Sequence, residues 1–184
     1  MQDQEKGFVL GACEDGTVYF KKNRNQYTIE IEQKNPQWLG VVQKAVLMAY
    51  KKRSIIYKTP KGYYRLLIYS KKIYSDLVPK RTNHLSILAE RKKYQLGYLQ
   101  GIAYAEGTVH KDRFQIRISS KDIDTINVVR EILERNGIKT GKVSEDETAY
   151  VLPMYGRKNL MRFKSAVGFR HAEKEERLAK LSSV

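Results

Sequence analysis

The chain has 184 residues, with 35 lysine and arginine side chains against 20 acids, a formal charge of +15 and a pI near 9.8. That surplus selects a polyanionic partner, nucleic acid ahead of an anionic membrane. No apolar run reaches the roughly 18 residues of a membrane span, the polar opening MQDQEKGF lacks a signal peptide's apolar core, and the single cysteine, Cys13, excludes an internal disulfide or a multi-cysteine zinc site. The expectation is a soluble, cytoplasmic, nucleic-acid-binding protein.

The first predicted element is a helix over 7–15, GFVLGACED, closed by Gly16 in the string Asp15-Gly16-Thr17-Val18. A basic turn leads to a strand, QYTIEIEQK, with Tyr27, Ile29 and Ile31 on one face and Thr28, Glu30 and Glu32 on the other; such alternation marks a half-buried strand. Asn35 as N-cap and Pro36 at the first helical position open the helix NPQWLGVVQKAVLMAY. Two more strands, SIIYKT and YYRLLIYS, and a helical segment near 71–93 complete the first half. The plan then repeats. Glu106-Gly107-Thr108-Val109 follows the helix-like GYLQGIAYA 91 residues after the first copy. RFQIRISSK alternates Phe114, Ile116 and Ile118 against Gln115, Arg117 and Ser119, and a helix ends at Asn136-Gly137, a good C-cap. Strands IKTGKV and TAYVLPM and helical segments over 157–182 close the chain. Each half reads helix–strand–strand–helix–strand–strand–helix, an α+β unit used twice over residues 1–93 and 94–184. The first half holds 19 basic and 8 acidic side chains and the second 16 and 12, so the halves share a plan but not a surface charge.

Glu106 stands at the wrong end of its helix. A helix C-terminus carries partial negative charge, which disfavours a carboxylate by a few tenths to about 1 kcal/mol, and an internal glycine such as Gly101 costs up to about 1 kcal/mol relative to alanine. Both are explained if the two repeated helices pack closely along small residues, Gly101 and Ala105, so that Asp15 and Glu106 converge. Alone such a pair repels; around a divalent cation it is favourable, and hard oxygen ligands shared with water and phosphate suit magnesium. Beneath a basic surface, the chemistry of that arrangement is metal-assisted phosphodiester hydrolysis.

LQGIAYAEG at 99–107, with VLGACEDGTVY as its partner copy, resembles the signature of the LAGLIDADG homing endonucleases. Two motifs in one short chain resemble the monomeric, intron-encoded archaeal members, and the ending VGFRHAEKEERLAKL is similar to the closing helix of many of them. The resemblance implies a pseudo-twofold tandem αββαββα fold whose two saddle-shaped antiparallel sheets lie in the DNA major groove. It implies a monomer cutting both strands of a long pseudo-palindromic double-stranded site, leaving 3′ overhangs, with magnesium as cofactor and manganese able to substitute. The metal falls to Asp15 and Glu106, with Gly16 and Ala105 beside them. The family's strand-end lysine, often preceded by glutamine, matches Gln33-Lys34 and Ser120-Lys121, placed to position water or stabilise charge in the transition state.

For base reading, the polar sheet faces nominate Lys21, Arg24, Thr28, Glu30, Lys58 and Arg65 in the first half. In the second they nominate His110, Arg113, Gln115 and Arg117. The histidines show no ligand spacing; His171 reads as a packing residue, and most of the 13 tyrosines as packing under the sheets. The first motif is one residue short: five steps separate Gly11 from Gly16, against six from Gly101 to Gly107. A lost residue rotates the rest of the helix by roughly 100°, so Glu14 stands as the alternative to Asp15. An RNA-splicing maturase acting on its own intron RNA, or a non-catalytic DNA-binding regulator, are the competing functions on the same scaffold.

Overall fold

The computed structural model describes residues 2–110 and 113–182. The first half runs α1 (Gln2–Ala12), β1 (Thr17–Lys21), β2 (Gln26–Gln33), α2 (Pro36–Tyr50), β3 (Ile55–Lys58), β4 (Tyr64–Tyr69) and α3 (Lys71–Thr82). After a 3₁₀ segment at His84–Ala89, the second runs α4 (Lys92–Glu106), β5 (Gly107–His110), β6 (Gln115–Ser120), α5 (Ile123–Arg135), β7 (Ser144–Glu145), β8 (Tyr150–Tyr155), α6 (Arg157–Ala166) and α7 (Ala172–Ser182). Each half forms one antiparallel four-stranded sheet, ordered β1-β2-β4-β3 and β5-β6-β8-β7.

Local chemistry sets most boundaries. Asn35 accepts from the Gln37 amide at 2.9 Å and Asp122 from the Asp124 amide at 2.9 Å, capping α2 and α5. Asp3 and Glu5 in the first turn of α1 favour its positive end, and the helix starts five residues earlier than its apolar pattern indicates. Phe114 sits in the left-handed region (φ 38°), so β6 begins one residue later than the alternation implies. The expected strand at 138–143 contributes little pairing, and β7 is only two residues long. Pro153 of β8 turns its carbonyl to this edge, accepting from the Gly141 amide at 2.8 Å, but has no N–H to return, so the ladder stops.

The centre of the molecule is the α1–α4 crossing. A Cβ on Gly11 would lie 2.2 Å from the Tyr98 carbonyl oxygen, and one on Gly101 would lie 2.4 Å from that of Phe8. Gly7 and Gly97 repeat the contact one turn earlier, so the small-residue seam is Gly7/Gly11 against Gly97/Gly101. Around it pack Phe8, Leu10, Tyr98 and Tyr104, all essentially inaccessible, with the Tyr104 ring stacked on Trp38 at 4.2 Å. Tyr94, Tyr98 and Tyr104 therefore serve the helix interface rather than the undersides of the sheets. Cys13 is also buried, and burial pushes its thiol up to about 12, which leaves it inert.

Candidate active site

The crossing brings the two motif ends together at one end of the seam. From Gly101, five α-helical residues lead to Glu106; from Gly11, only four lead to Asp15. The last turn of the first motif tightens to compensate. Cys13 N–H reaches Leu10 O at 3.0 Å as well as Val9 O, Glu14 N–H reaches Gly11 O at 3.4 Å, and Gly16 N–H reaches Cys13 O at 2.8 Å, an i−3 pattern. Three residues at the 3₁₀ rise of about 2.0 Å advance as far as four at 1.5 Å, and the rotational error falls from about 100° to about 40°. Asp15 thus ends level with Glu106.

Both acids line an open cleft of about 460 Å³ together with Lys121, Glu14, Arg81 and His84. Burial raises the Asp15 carboxyl, against the opposing charge of Lys121. Burial, and then the charge of Asp15, raise Glu106, with Lys174 and Lys121 acting the other way. The acid whose charge acts on Glu106 is therefore Asp15. Glu14 turns to the partner helix and to α3: its carboxylate lies 3.4 Å from the Tyr98 hydroxyl, 3.5 Å from His84 Nε2 and 3.6 Å from Arg81 Nε.

Two cations relieve the crowded negative ends of the central helices. Arg81 donates from both terminal nitrogens to the Gly16 carbonyl at 3.1 Å, and from one to the Glu14 carbonyl at 3.3 Å. This corrects the assignment of Gly16 to the metal: its carbonyl is already occupied by a guanidinium, whose charge would repel a second cation. Lys174 donates to the Tyr104 carbonyl at 2.7 Å and the Ala103 carbonyl at 3.2 Å, and its burial lowers the ammonium to about 8. Ala105 occupies the same last turn of α4, next to Glu106. The closing segment is docked by Arg170, which pairs with Glu5 at 2.7 and 3.0 Å, donates to Gln100 at 2.7 Å and covers the Phe8 ring. His171 packs beside Tyr104 and Trp38, half-buried.

Arg81, His84, Asp122 and Lys174 escaped the sequence reading. His84 bridges the halves, with Nε2 near Glu14 and Nδ1 3.3 Å from Asp122 Oδ2. Hydrogen bonding to Glu14 raises its basicity, against burial and with help from Asp122. Its folded value thus lies above its unfolded one. That stabilisation is complete below the unfolded value of about 6.5 and disappears as pH rises through the folded value. Glu14→Gln should therefore lose thermal stability most below about pH 6.5, with a narrowing difference on alkalinisation. Melting curves of the two proteins across pH 5–9 check this; a difference that widens with pH would show that His84 is not the group responsible.

The strand-end lysines are placed differently. Lys121 lines the cleft with both acids, whereas the Lys34 ammonium lies over the Tyr63 ring at 5.8 Å, outside that cleft. Gln33, at the end of β2, pairs in register with Tyr64. On the sheets, Lys21 lies over Tyr19, Arg24 is exposed in a 3₁₀ turn and Arg113 in the turn before β6. His110 ends β5 opposite Gln115. Arg65 grips Glu32 at 2.7 Å, with Glu30 at 3.8 Å, and Glu30 accepts from the Tyr19 hydroxyl at 2.6 Å.

Three nominations for the open polar face are corrected. Thr28 and Gln115 are only 1% and 2% exposed, because each sits mid-sheet with aromatic rings across both neighbouring strands. Lys58 pairs with Tyr64 and shares by alternation the core-side face of Ile56 and Leu66, its ammonium over the Tyr64 ring at 5.9 Å.

No group of three or more His, Cys, Asp or Glu side chains that could hold a metal occurs among the described residues. Two hard carboxylates of raised proton affinity, in a cleft open to further oxygens, nonetheless fit magnesium, which keeps waters and shares substrate phosphates. No described helix is long and apolar enough to cross a membrane.

Comparison with known proteins agrees with this layout. Residues 93–168 match the LAGLIDADG-like domain family. The chain is 27% identical to homing endonuclease I-ApeI of Aeropyrum pernix over 95% of its own length and 85% of that protein's. Its fold matches a mesophilic variant of homing endonuclease I-DmoI with a TM-score of 0.78 at 21% identity, covering 97% of this chain and 98% of that one. It also matches a point variant of I-DmoI bound to its target DNA in the presence of magnesium, with a TM-score of 0.74 at 23% identity over 90% and 96% of the two chains. The chain thus resembles the LAGLIDADG homing endonucleases along nearly its whole length, with their pseudo-twofold α+β fold.

Proposed function

We propose that this chain, with its LAGLIDADG-like domain over 93–168 and the homing-endonuclease fold in both halves, is a site-specific DNA endonuclease. It acts as a monomer, one half on each side of a long pseudo-palindromic site, and hydrolyses both strands with magnesium to leave 3′ overhangs. The observation that carries this reading is the convergence of Asp15 and Glu106 with Lys121 in one cleft at the molecular pseudo-dyad. A homing endonuclease as relative and a DNA complex formed with magnesium on the same fold support it.

Asp15 and Glu106 are the residues that would hold the cation, which when bound polarises a phosphoryl oxygen and activates water. Arg81 and Lys174 hold the helix ends so that the two carboxylates stay close despite their repulsion. Lys121 sets a positive charge beside the phosphoryl oxygens that accumulate negative charge in the transition state. Lys34 takes the corresponding part in the first half once phosphate draws it from Tyr63. The basic sheet faces supply phosphate contacts and, through Arg65, Arg117 and Glu30, base contacts.

Digestion of DNA carrying the uninterrupted host locus, with magnesium and with EDTA, tests the proposal. Discrete double-strand cleavage in magnesium alone is expected; binding without cleavage at any divalent ion would leave a regulator on this scaffold. Binding should also weaken steeply with salt, log K falling with log salt at about 0.9 per phosphate contact. A slope near zero in a filter-binding titration would contradict a phosphate-dominated interface.

A further inference from the structure

Arg81 and His84 stand three residues apart at the end of the first half, and His171 and Lys174 three apart at the end of the second. Each pair serves one motif: Arg81 holds the carbonyls of Glu14 and Gly16, and Lys174 those of Ala103 and Tyr104. The strand-end lysines extend the correspondence. Lys34 precedes Asn35, the N-cap of α2, and Lys121 precedes Asp122, the N-cap of α5. Three residues after each cap stand Trp38 and Thr125. His171 approaches Trp38, with ring centroids 6.5 Å apart, and His84 Nε2 lies 3.3 Å from the Thr125 hydroxyl oxygen. The two histidines thus occupy corresponding places. His171 packs on aromatic rings, whereas His84 faces carboxylates and a hydroxyl.

Those polar partners form a continuous chain that ends at Lys121. Buried His84 places Nε2 3.5 Å from the Glu14 carboxylate and Nδ1 3.3 Å from Asp122 Oδ2. The buried Thr125 hydroxyl donates to the same Asp122 oxygen at 3.3 Å, and Asp122 Oδ1 accepts from the Asp124 amide at 2.9 Å. The Asp122 amide donates in turn to Ser120 Oγ at 3.1 Å, which fastens the backbone on both sides of Lys121. At the far end, Glu14 is fixed by Arg81 and the Tyr98 hydroxyl. A lysine ammonium rides on a flexible four-carbon stem, so its reach depends on how firmly its root is held. In the first half Trp38 offers a ring where Thr125 offers a hydroxyl. The chain of polar contacts is interrupted there, and Lys34 lies over Tyr63, outside the cleft.

We infer that His84 is a positioning residue: by bridging the end of the first motif to the N-cap of α5, it holds Lys121 in the cleft and so governs hydrolysis of one DNA strand and not the other. The inference rests on the proposed function, in which Lys121 stands beside the scissile phosphate. His84 acts through Asp122 rather than on the phosphate itself. A side chain from the segment joining the two halves thereby sets where the lysine of the second half stands relative to the acid of the first.

The test is single-turnover cleavage in magnesium by the full chain, on a duplex carrying the uninterrupted host locus with a different fluorophore on each strand. Lys121→Met identifies the strand that depends on this lysine. His84→Phe keeps a ring of similar size and removes both nitrogens. It should slow that same strand by about 10- to 100-fold and the other by less than about twofold, so that nicked duplex accumulates. Affinity for the duplex should stay at the wild-type value. Asp122→Ser keeps a good N-cap on a side chain too short to reach His84. It should give the same strand-selective loss, so the test holds even where His84→Phe fails to fold. Equal slowing of both strands, slowing of the other strand alone, or wild-type rates on both in either folded variant would overturn the inference while the endonuclease reading stands. A wild-type chain that cuts neither strand would overturn the endonuclease reading, and this inference with it.

Discussion

Glu106→Gln should leave DNA bound and uncut. The substitution keeps the shape of the side chain and removes one of two hard anionic ligands, so hydrolysis should fall by at least about 10³-fold. Binding should persist or tighten, because a negative charge beside phosphate has gone. Asp15→Asn should behave alike. A normal rate of double-strand cleavage in either variant would remove that acid from the chemistry.

The same variant carries a stability signature. Burial, then Asp15, raise the Glu106 carboxyl in the folded chain. The folded state therefore binds its proton more tightly than the unfolded state, and stability falls as pH rises from the ordinary glutamate value through the raised one. Glutamine cannot ionise. Metal-free Glu106→Gln should thus melt above wild type at neutral pH, with the gain vanishing at about pH 3, where glutamate is protonated in both states. A variant less stable than wild type at neutral pH would show that Lys174 and Lys121 already compensate this carboxylate in full.

The second large effect belongs to the seam. A Cβ on Gly101 would lie 2.4 Å from the Phe8 carbonyl oxygen, 2.7 Å from the Ala12 nitrogen and 2.9 Å from the Gly11 Cα. Every obstacle is backbone, so no rotamer change makes room. Gly101→Val should cost more than the roughly 1–3 kcal/mol of ordinary overpacking, lowering the melting temperature by at least about 10 °C or preventing folding. Gly40, inside α2 with nothing within 4 Å of an added methyl group, is the control. Gly40→Ala should stabilise by up to about 1 kcal/mol through helix propensity alone. Equal melting temperatures for Gly101→Val and wild type would mean that the helices do not cross at these glycines.

Much of this was legible in the residues because local periodicity carried it. Asn35-Pro36, Asn136-Gly137 and the alternating strands fixed element type without reference to the rest of the chain, and the repeated acid-glycine ends located the site. Glycines at 7, 11, 97 and 101 stand four apart in both helices, a spacing that could have extended the seam beyond Gly101 and Ala105. The hidden part depends on distant side chains. Arg81 reaches a carbonyl 65 residues away and Lys174 one 70 residues away, and neither carries a local pattern. His84 looked isolated because Glu14 and Asp122 approach it from different elements. The compensating 3₁₀ turn was hidden for another reason: residue count alone cannot show that a helix end has changed its pitch.

The glycine seam also separates two demands that a sequence-reading nuclease must meet. Main-chain atoms set the distance between the central helices, so the spacing of the two acids owes nothing to which side chains decorate the sheets. Under the proposed function, residues on the sheet faces can then be exchanged one at a time, altering what is read while the distance between the two acids is conserved. The chain is in this sense a fixed ruler carrying replaceable type, and changes of target need not be matched by changes at its centre.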